Sequence, residues 1–460
     1  MTNWQPDLSQ FDGPRYQAIA EAIAADLRQG RLKAGERLPT HRELAYRLGV
    51  TVGTVTRGYV EAQRRGLVAG HVGRGSFLAG PGQASAQLGS PQSEAEERIE
   101  LSLAFPPPHT GAALFRRTLG ELSRDGGVGS LLDYQPHGGM AHHRAAGAAW
   151  IARHGLSVAP EQVLITLGAQ HAIGVALRGL TKPGDLLLAE SLTYSGVKSM
   201  AAALNLRVKG LPMDSDGLLP EALEAACRAE RASALFCMPN LQNPTGAIMS
   251  PARREAIAAI AARYRLPVIE DDVYGFLAGA RPTLTELLPD LGHYLVGTSK
   301  SLAPGLRVGY LALPKGREAA FINALSATVW MAPPLTAEIV TRWIVDGAAD
   351  SLAEGQRSGT AERQVLAAKL LEGFDYRAHP LSFFGMLHLP APWRVNDLVA
   401  AGARRGLRLR GADVFATDLP APEAIRLCVS SAGSIEQLAD GLTRLAALLR
   451  EGPASDALVV

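Results

Sequence analysis

The chain has 460 residues, 46 Lys and Arg against 44 Asp and Glu, 47% apolar and 20% charged. At one domain per roughly 150 residues, that length implies several domains and at least one large buried core. The composition excludes a disordered or collagen-like chain and a polyelectrolyte that coats nucleic acid along its whole length, so the net charge of +2 by itself names no partner.

The N-terminal run MTNWQPDLSQFDGPR has no basic region followed by an apolar one, so no secretory signal is read there. In YQAIAEAIAADLRQG, Ile19, Ile23 and Leu27 recur every four residues and predict a helix with one apolar stripe, stopping at Gly30. Thr40 stands three residues before Glu43, a capping box that starts a second helix, HRELAYRL, ended by Gly49. Thr51 caps a third, whose Val52, Val55 and Tyr59 are expected to face inward while Gly53, Thr54, Thr56, Arg57 and Arg64 can point out. Two short helices joined by a tight turn form a helix-turn-helix, with the third helix available to a major groove. Two short apolar runs, Leu67-Val68-Ala69 and Ser76-Phe77-Leu78, flank Gly73-Arg74-Gly75 and predict a hairpin with an arginine at its tip, suited to phosphate or minor-groove contact.

The run LPTHRELAYRLGVTVGTVTRGYVEAQRRGLVAGHVGRGSFLAG resembles the DNA-binding domain of the GntR regulators over nearly the whole head. That resemblance implies operator contacts from Arg42, Thr51, Thr54, Arg57 and Arg74. Related sequences commonly carry Arg or Asn where this chain has Val52 and Gly53, so base readout should lean on Thr54, Arg57 and the wing. Residues 1–80 hold eleven basic and seven acidic residues, a net +4, which leaves −2 for the other 380. The head is basic and the body is not.

Residues 79–98, AGPGQASAQLGSPQSEAEER, are rich in Gly, Ala, Ser, Gln and Pro with a single Leu and read as a flexible linker with a mean reach of roughly 25 Å. They separate a winged helix-turn-helix domain, 1–78, from a body expected over 99–455. In that body a small lobe is expected over about 99–130 and 345–455, and a large lobe over about 131–344.

From about residue 160, strand-length apolar runs alternate with helical stretches: VLITLG, LLLAES, ALFCMP, PVIEDD, HYLVGTS and RVGYLAL. This predicts an α/β body with a largely parallel sheet, helices on both faces, and chemistry in the loops after the strands. Lys300, among small residues after such a strand, is a candidate desolvated amine able to form a Schiff base. Arg307 can hold a phosphate as a charge-assisted fork. Asp271 ends PVIEDD, where a carboxylate suits a pyridinium nitrogen, with Tyr274 three residues on and Asn243 in NLQNPTG able to donate to a phenolic oxygen. In ITLGAQHA a strand passes through Gly168 into a helix, aiming free N–H groups at an anion. Cys227, Cys237 and Cys428 are too few and scattered for a disulfide framework or a zinc site, so no metal is expected, and no apolar run nears the roughly 18 residues that span a bilayer. A cytoplasmic protein without a membrane partner is expected.

The order TLGAQ, Tyr194, NPTG, EDDVY, SK and GLR resembles the fold-type-I aminotransferases of class I, over roughly residues 100–450. By that resemblance Lys300 would hold pyridoxal 5'-phosphate (PLP) covalently and Asp271 would keep its pyridine nitrogen protonated. Asn243 and Tyr274 would bind the phenolate oxygen, and Tyr194 would stack on the ring. Gly168, Ala169, Gln170, Ser299 and Arg307 would hold the phosphate, and Tyr134 would reach the phosphate of the neighbouring subunit. Arg426 would clamp a substrate α-carboxylate. Relatives usually show one more residue before the lysine, so whether Thr298 replaces their phosphate-binding serine is open.

A GntR-type head linked to a fold-type-I, PLP-dependent aminotransferase-like body is similar to the MocR family of bacterial transcription regulators. The resemblance implies a head-to-tail homodimer, double-stranded DNA with paired half-sites, and PLP, an amino acid or an amine as effector. Two readings compete with a sensor: an active transaminase whose head serves autoregulation, and a DNA-binding protein whose body only dimerises.

Overall fold

The computed structural model describes residues 4–8, 11, 13–28, 31–32, 36–64, 67–71, 75–78, 98–107, 111–417 and 421–453. By contacts the chain divides into two units, Met1–Glu96 and Glu97–Val460.

In the first unit the apolar stripe becomes α1 (Arg15–Arg28), with Ile19 and Ile23 fully buried. In α2 (His41–Leu48) the Thr40 hydroxyl accepts from the Glu43 N–H at 3.3 Å, and Gly49 ends the helix in the left-handed conformation. The Glu43 carboxylate turns instead to Arg47, so only one half of the capping box is made. α3 (Val52–Arg64) begins at a Thr51 hydroxyl that accepts from Thr54 N–H at 3.2 Å. α3 packs closely on α1 at Gly58, where an added Cβ would lie 2.9 Å from Ile19 Cβ. β1 (Val68–His71) and β2 (Gly75–Leu78) pair antiparallel as the wing. The linker segment 79–97 and Arg74 lie outside the described residues.

The second unit is built on seven strands: β3 (Val163–Thr166), β4 (Leu186–Glu190), β5 (Arg207–Leu211), β6 (Ala234–Cys237), β7 (Val268–Asp271), β8 (Gly292–Gly297) and β9 (Gly309–Ala312). All but β5 are buried at every residue, as expected of strands covered on both faces. Their order is β3-β9-β8-β7-β6-β4-β5, parallel except that β9 runs antiparallel to both neighbours. Register then positions the site. Gly309, which opens β9, lies opposite both Gly297, which closes β8, and Thr166, which closes β3. The segments beyond these residues therefore meet at one sheet edge.

Among the helices, α4 (Ala141–Ala152) precedes β3, α5 (Ala169–Leu180) follows it, α6 (Ser195–Ala203) follows β4, and α7 (Pro251–Tyr264) precedes β7. Two further helices, α8 (Pro334–Val345) and α9 (Ala348–Leu370), lead to a second antiparallel sheet of β10 (Asp375–Arg377), β11 (Phe384–His388) and β12 (Ala424–Cys428). This sheet shares an apolar core with α10 (Ile435–Glu451) and with Ile99 and Leu101 at the start of the unit. Among the described residues no helix is long and apolar enough to cross a membrane.

Candidate functional site

The loop from β3 to α5 supplies an anion-facing corner. Gly168, at φ +81°, caps α5, so the N–H groups of Ala169 and Gln170 come before any intrahelical partner exists for them. Arg307, in the left-handed region at φ +53°, turns back on this corner: Nη1 donates to Ser299 Oγ at 3.0 Å and Nη2 to the Leu167 carbonyl at 3.2 Å. A Cβ on Gly168 would stand 2.9 Å from Arg307 Nη2, so only glycine allows this approach. Thr298 is fully buried and its hydroxyl donates to the Val308 carbonyl at 2.9 Å. Ser299, not Thr298, therefore presents its hydroxyl beside Arg307.

Two titratable groups lie nearby under opposite penalties, Asp271 buried and Lys300 half-buried. Asp271, last in β7, receives one N–H, from Val273 at 3.1 Å, and burial pushes its carboxyl up to about 7. Lys300 is pushed down to about 8, chiefly by burial and further by Arg426 and Arg307; its Nζ donates to the Ala104 carbonyl. Tyr194 donates to Gln170 Oε1 at 2.9 Å, and its phenol is raised by burial and by Asp271. Tyr274 is buried edge-on to Phe383 and Phe384, with its phenol raised mainly by burial.

Arg426, on β12, reaches the same region from the second sheet. Nη1 donates to Asn243 Oδ1 at 2.8 Å and Nη2 to the Ser102 carbonyl at 2.6 Å, while buried Nε has no partner among the described residues. Its guanidinium lies 4.5 Å from the Phe415 ring centroid. Lys198 fixes that aromatic's segment by donating to the carbonyls of Val414 and Ala416. Tyr134 stands apart in this chain, 84% exposed and edge-on to Trp330.

Several supporting groups were not singled out from sequence. Glu190, last in β4, accepts from Met238 N–H and Gln242 Nε2, and burial raises its carboxyl to about 7. Through Gln242, which also bonds Thr245 and Leu192, it shapes the loop that presents Asn243. Glu270 and Asp272, flanking Asp271, are buried on other partners: Thr285 and Leu284 for the first, Asn240 and Tyr294 for the second. An acidic residue closing the apolar run LLLAE is a legible signal for Glu190. Nothing in the sequence marks Ala104, Ser102 or Phe415.

In the first unit Arg42 and Arg57 are exposed, Thr51 is exposed and Thr54 half-buried. Val52 corrects the expectation that it faces inward. It is 44% exposed, because it opens the first turn of α3, one turn before the buried Val55. Among the described side chains, the outward surface of α3 thus includes Val52, Gly53, Arg57 and Val60 beside Thr54, while the side chain of Arg64 lies outside the described residues.

The residues present fit PLP. Among the described residues, buried Asp271 has a single donor, Arg426 Nε has no partner, and the Gly168 corner combines free N–H groups with a hydroxyl and a guanidinium. These are a cation acceptor, a carboxylate or phenolate donor, and an anion cradle.

The family description "Aminotransferase class I and II" matches residues 115–445, and "Bacterial regulatory proteins, gntR family" matches residues 15–78. The uncharacterized HTH-type transcriptional regulator YdeF of Bacillus subtilis is 30% identical over 449 residues, 97% of both chains. The HTH-type transcriptional regulator TauR of Rhodobacter capsulatus is 26% identical over 486 aligned residues, 95% of this chain and 97% of its own. Among solved structures, an archaeal alanine:glyoxylate aminotransferase superposes with a TM-score of 0.73 at 24% identity, covering 85% of this chain and 99% of that one. LysN, the α-aminoadipate aminotransferase of Thermus thermophilus solved with N-(5'-phosphopyridoxyl)-L-leucine, gives 0.71 at 24% identity over 80% and 97%. These structures share the fold, and the aminotransferase class I fold in general implies dependence on PLP. With a winged helix-turn-helix at one end and this fold over most of its length, the chain belongs to the GntR-family regulators of MocR-type architecture, in which a DNA-binding head is joined to an aminotransferase class I and II domain.

Proposed function

We propose that the protein is a PLP-dependent transcriptional regulator, acting in the cytoplasm, whose body senses PLP, an amino acid or an amine and whose head binds paired half-sites in double-stranded DNA. The observation that carries this reading is the presence in one chain of a helix with Thr51 and Arg57 exposed and a site with a half-buried lysine and a buried aspartate. When bound, PLP would supply an electrophilic carbonyl and an electron-withdrawing ring.

Each residue has a part to play. Lys300 is the amine: its lowered pKa leaves it partly unprotonated near neutral pH and so nucleophilic. Asp271 is the buried partner for a ring N–H; a cation placed against it offsets the burial that raises its pKa. Asn243, its Oδ1 engaged by Arg426, is left to donate from Nδ2, and Tyr274 serves the same phenolate oxygen. Gly168, Ala169, Gln170, Ser299 and Arg307 receive a phosphate, with Tyr194 across the ring. Arg426 receives an effector carboxylate, and Tyr134, exposed in this chain, serves the partner of a head-to-tail dimer.

A route to the head follows from two hydrogen bonds. Lys300 and Arg426 both donate to carbonyls of Ser102–Ala104, a few residues after the linker. A ligand that takes either side chain removes a bond from the segment that follows the linker in the sequence. Differential contacts of this kind are what an effector needs to shift a conformational equilibrium.

A second reading, amino-group transfer as the main activity, is favoured by the same Lys300 and Asp271. Relatives alignable over nearly the full length are described as regulators, which ranks it below sensing. Footprinting upstream of the protein's own and neighbouring genes, with and without PLP and a panel of amino acids, tests the proposal. A footprint that changes with effector in the wild type but not in Lys300→Ala supports sensing. Footprints unaffected by every addition refute it, and turnover of amino acids with a 2-oxo acid without any DNA response favours the enzyme.

A further inference from the structure

A second cluster of titratable groups lies where α4 packs on α8. His142 and His143 occupy the first turn of α4, and their Nε2 atoms lie 2.9 and 3.1 Å from the same oxygen, Oε2, of Glu338 on α8. The three donor atoms all fall within 4.8 Å of one another. His143 is buried, Glu338 is 13% exposed and His142 is 50% exposed, so one side of the cluster is rigid and the other open to solvent. The carboxylate is held from behind: Arg342, one turn along α8, donates Nε to Oε1 at 2.8 Å and is itself paired with Asp125. Oε2 is thereby left to the two imidazoles.

We propose that His142, His143 and Glu338 form a binding site for a divalent transition-metal ion of the zinc class, with three protein ligands and a fourth position open to water on the His142 side. The donor set is two imidazole nitrogens and one carboxylate oxygen, which suits Zn2+, Co2+ or Ni2+ and not the all-oxygen shells of Mg2+ or Ca2+. Ligands about 2.0–2.1 Å from a tetrahedral ion lie about 3.3 Å apart, so the observed nitrogen–oxygen separations need to open by only a few tenths of an ångström. Arg342 is the outer partner that orients a ligating carboxylate. Without an ion, both imidazoles present Nε2–H to one oxygen; with it, each ring moves its proton to Nδ1 and offers the Nε2 lone pair. This site departs from the expectation of no metal, which weighed only the cysteines.

The ion would tie together two segments that already touch, since His137 Nδ1 lies 2.8 Å from the Trp330 carbonyl and Gln135 N–H points at Met331 Sδ. Its consequence is therefore to fix the stretch bearing Tyr134. Neither PLP nor DNA enters the argument, so it stands or falls apart from the function proposed above.

The test uses the full chain, stripped with chelator and titrated with Zn2+ by calorimetry and with Co2+ by visible absorption. The expected result is one ion per chain and the intense band of tetrahedral Co2+. His142→Ala, at an exposed position, should weaken binding at least about tenfold with an unchanged circular dichroism spectrum. Glu338→Gln should remove the Co2+ band. Absence of both heat and band in the wild type overturns the proposal, as does equal titration of wild type, His142→Ala and Glu338→Gln.

Discussion

Attachment of PLP should follow the ionisation of a lysine unlike those on the surface. An ordinary lysine amine is unprotonated in about one molecule in 3,000 at pH 7. With its pKa pushed down to about 8, Lys300 is unprotonated in about one in ten, a gain of about 300-fold in nucleophile. Burial is the main cause, and the positive charges of Arg426 and Arg307 add to it. Stopped-flow mixing of PLP with the chain freed of it, read by the absorbance of lysine-bound PLP from pH 6 to 10, should give a rate that climbs to a plateau above about pH 8. Arg426→Gln, which removes one of those charges, should move the midpoint to higher pH, and Lys300→Ala should abolish the signal. A rate that keeps rising about tenfold per pH unit to pH 10 would show an ordinary, solvated lysine and refute the reasoning.

Gly58→Ala places a Cβ 2.9 Å from Ile19 Cβ and Cγ2 and 3.1 Å from the Tyr16 carbonyl, an overpacking expected to cost about 1–3 kcal/mol. Calorimetry should show the first unit's transition lowered and the second unit's unmoved. Gly168→Ala combines a φ of +81° with a 2.9 Å approach to Arg307 Nη2, and PLP affinity measured by equilibrium dialysis should fall at least about tenfold while far-ultraviolet circular dichroism is unchanged. Arg57→Ala should weaken operator binding in a mobility-shift assay: a drop uniform across sequences, with the salt slope lowered by about 1, marks a phosphate contact, whereas relaxed preference at one base pair marks readout.

Local signals were the ones legible in the chain. Thr40, Gly49 and Thr51 delimit α2 and α3 through bonds to residues at most four positions away, and the caps lie where the side chains and φ requirements demand. Val52 was misplaced because inward periodicity counts only where a neighbouring helix covers the turn. Apolar runs of strand length located the sheet, and polar residues at or just past their ends, Asp271 and Lys300 above all, stand out because burial of such groups is costly. The antiparallel direction of β9 was not legible, since RVGYLAL reads alike in either sense. Contacts across 196 residues from Lys300 to Ala104, 324 from Arg426 to Ser102 and 195 from His143 to Glu338 leave no mark on local pattern. They depend on register and helix packing, which only the folded chain supplies.

The central claim is that occupancy at Lys300 and Arg426 is felt at the DNA. Its most direct measurement is operator affinity of the full-length protein at fixed salt, with PLP alone and with PLP plus each amino acid, for wild type and Lys300→Ala. A coupling of about 5- to 150-fold, the usual range between linked sites, is expected for at least one effector in the wild type and none in the variant, whose basal DNA affinity is retained. Equal affinities for wild type under every condition, with PLP demonstrably bound, would contradict it.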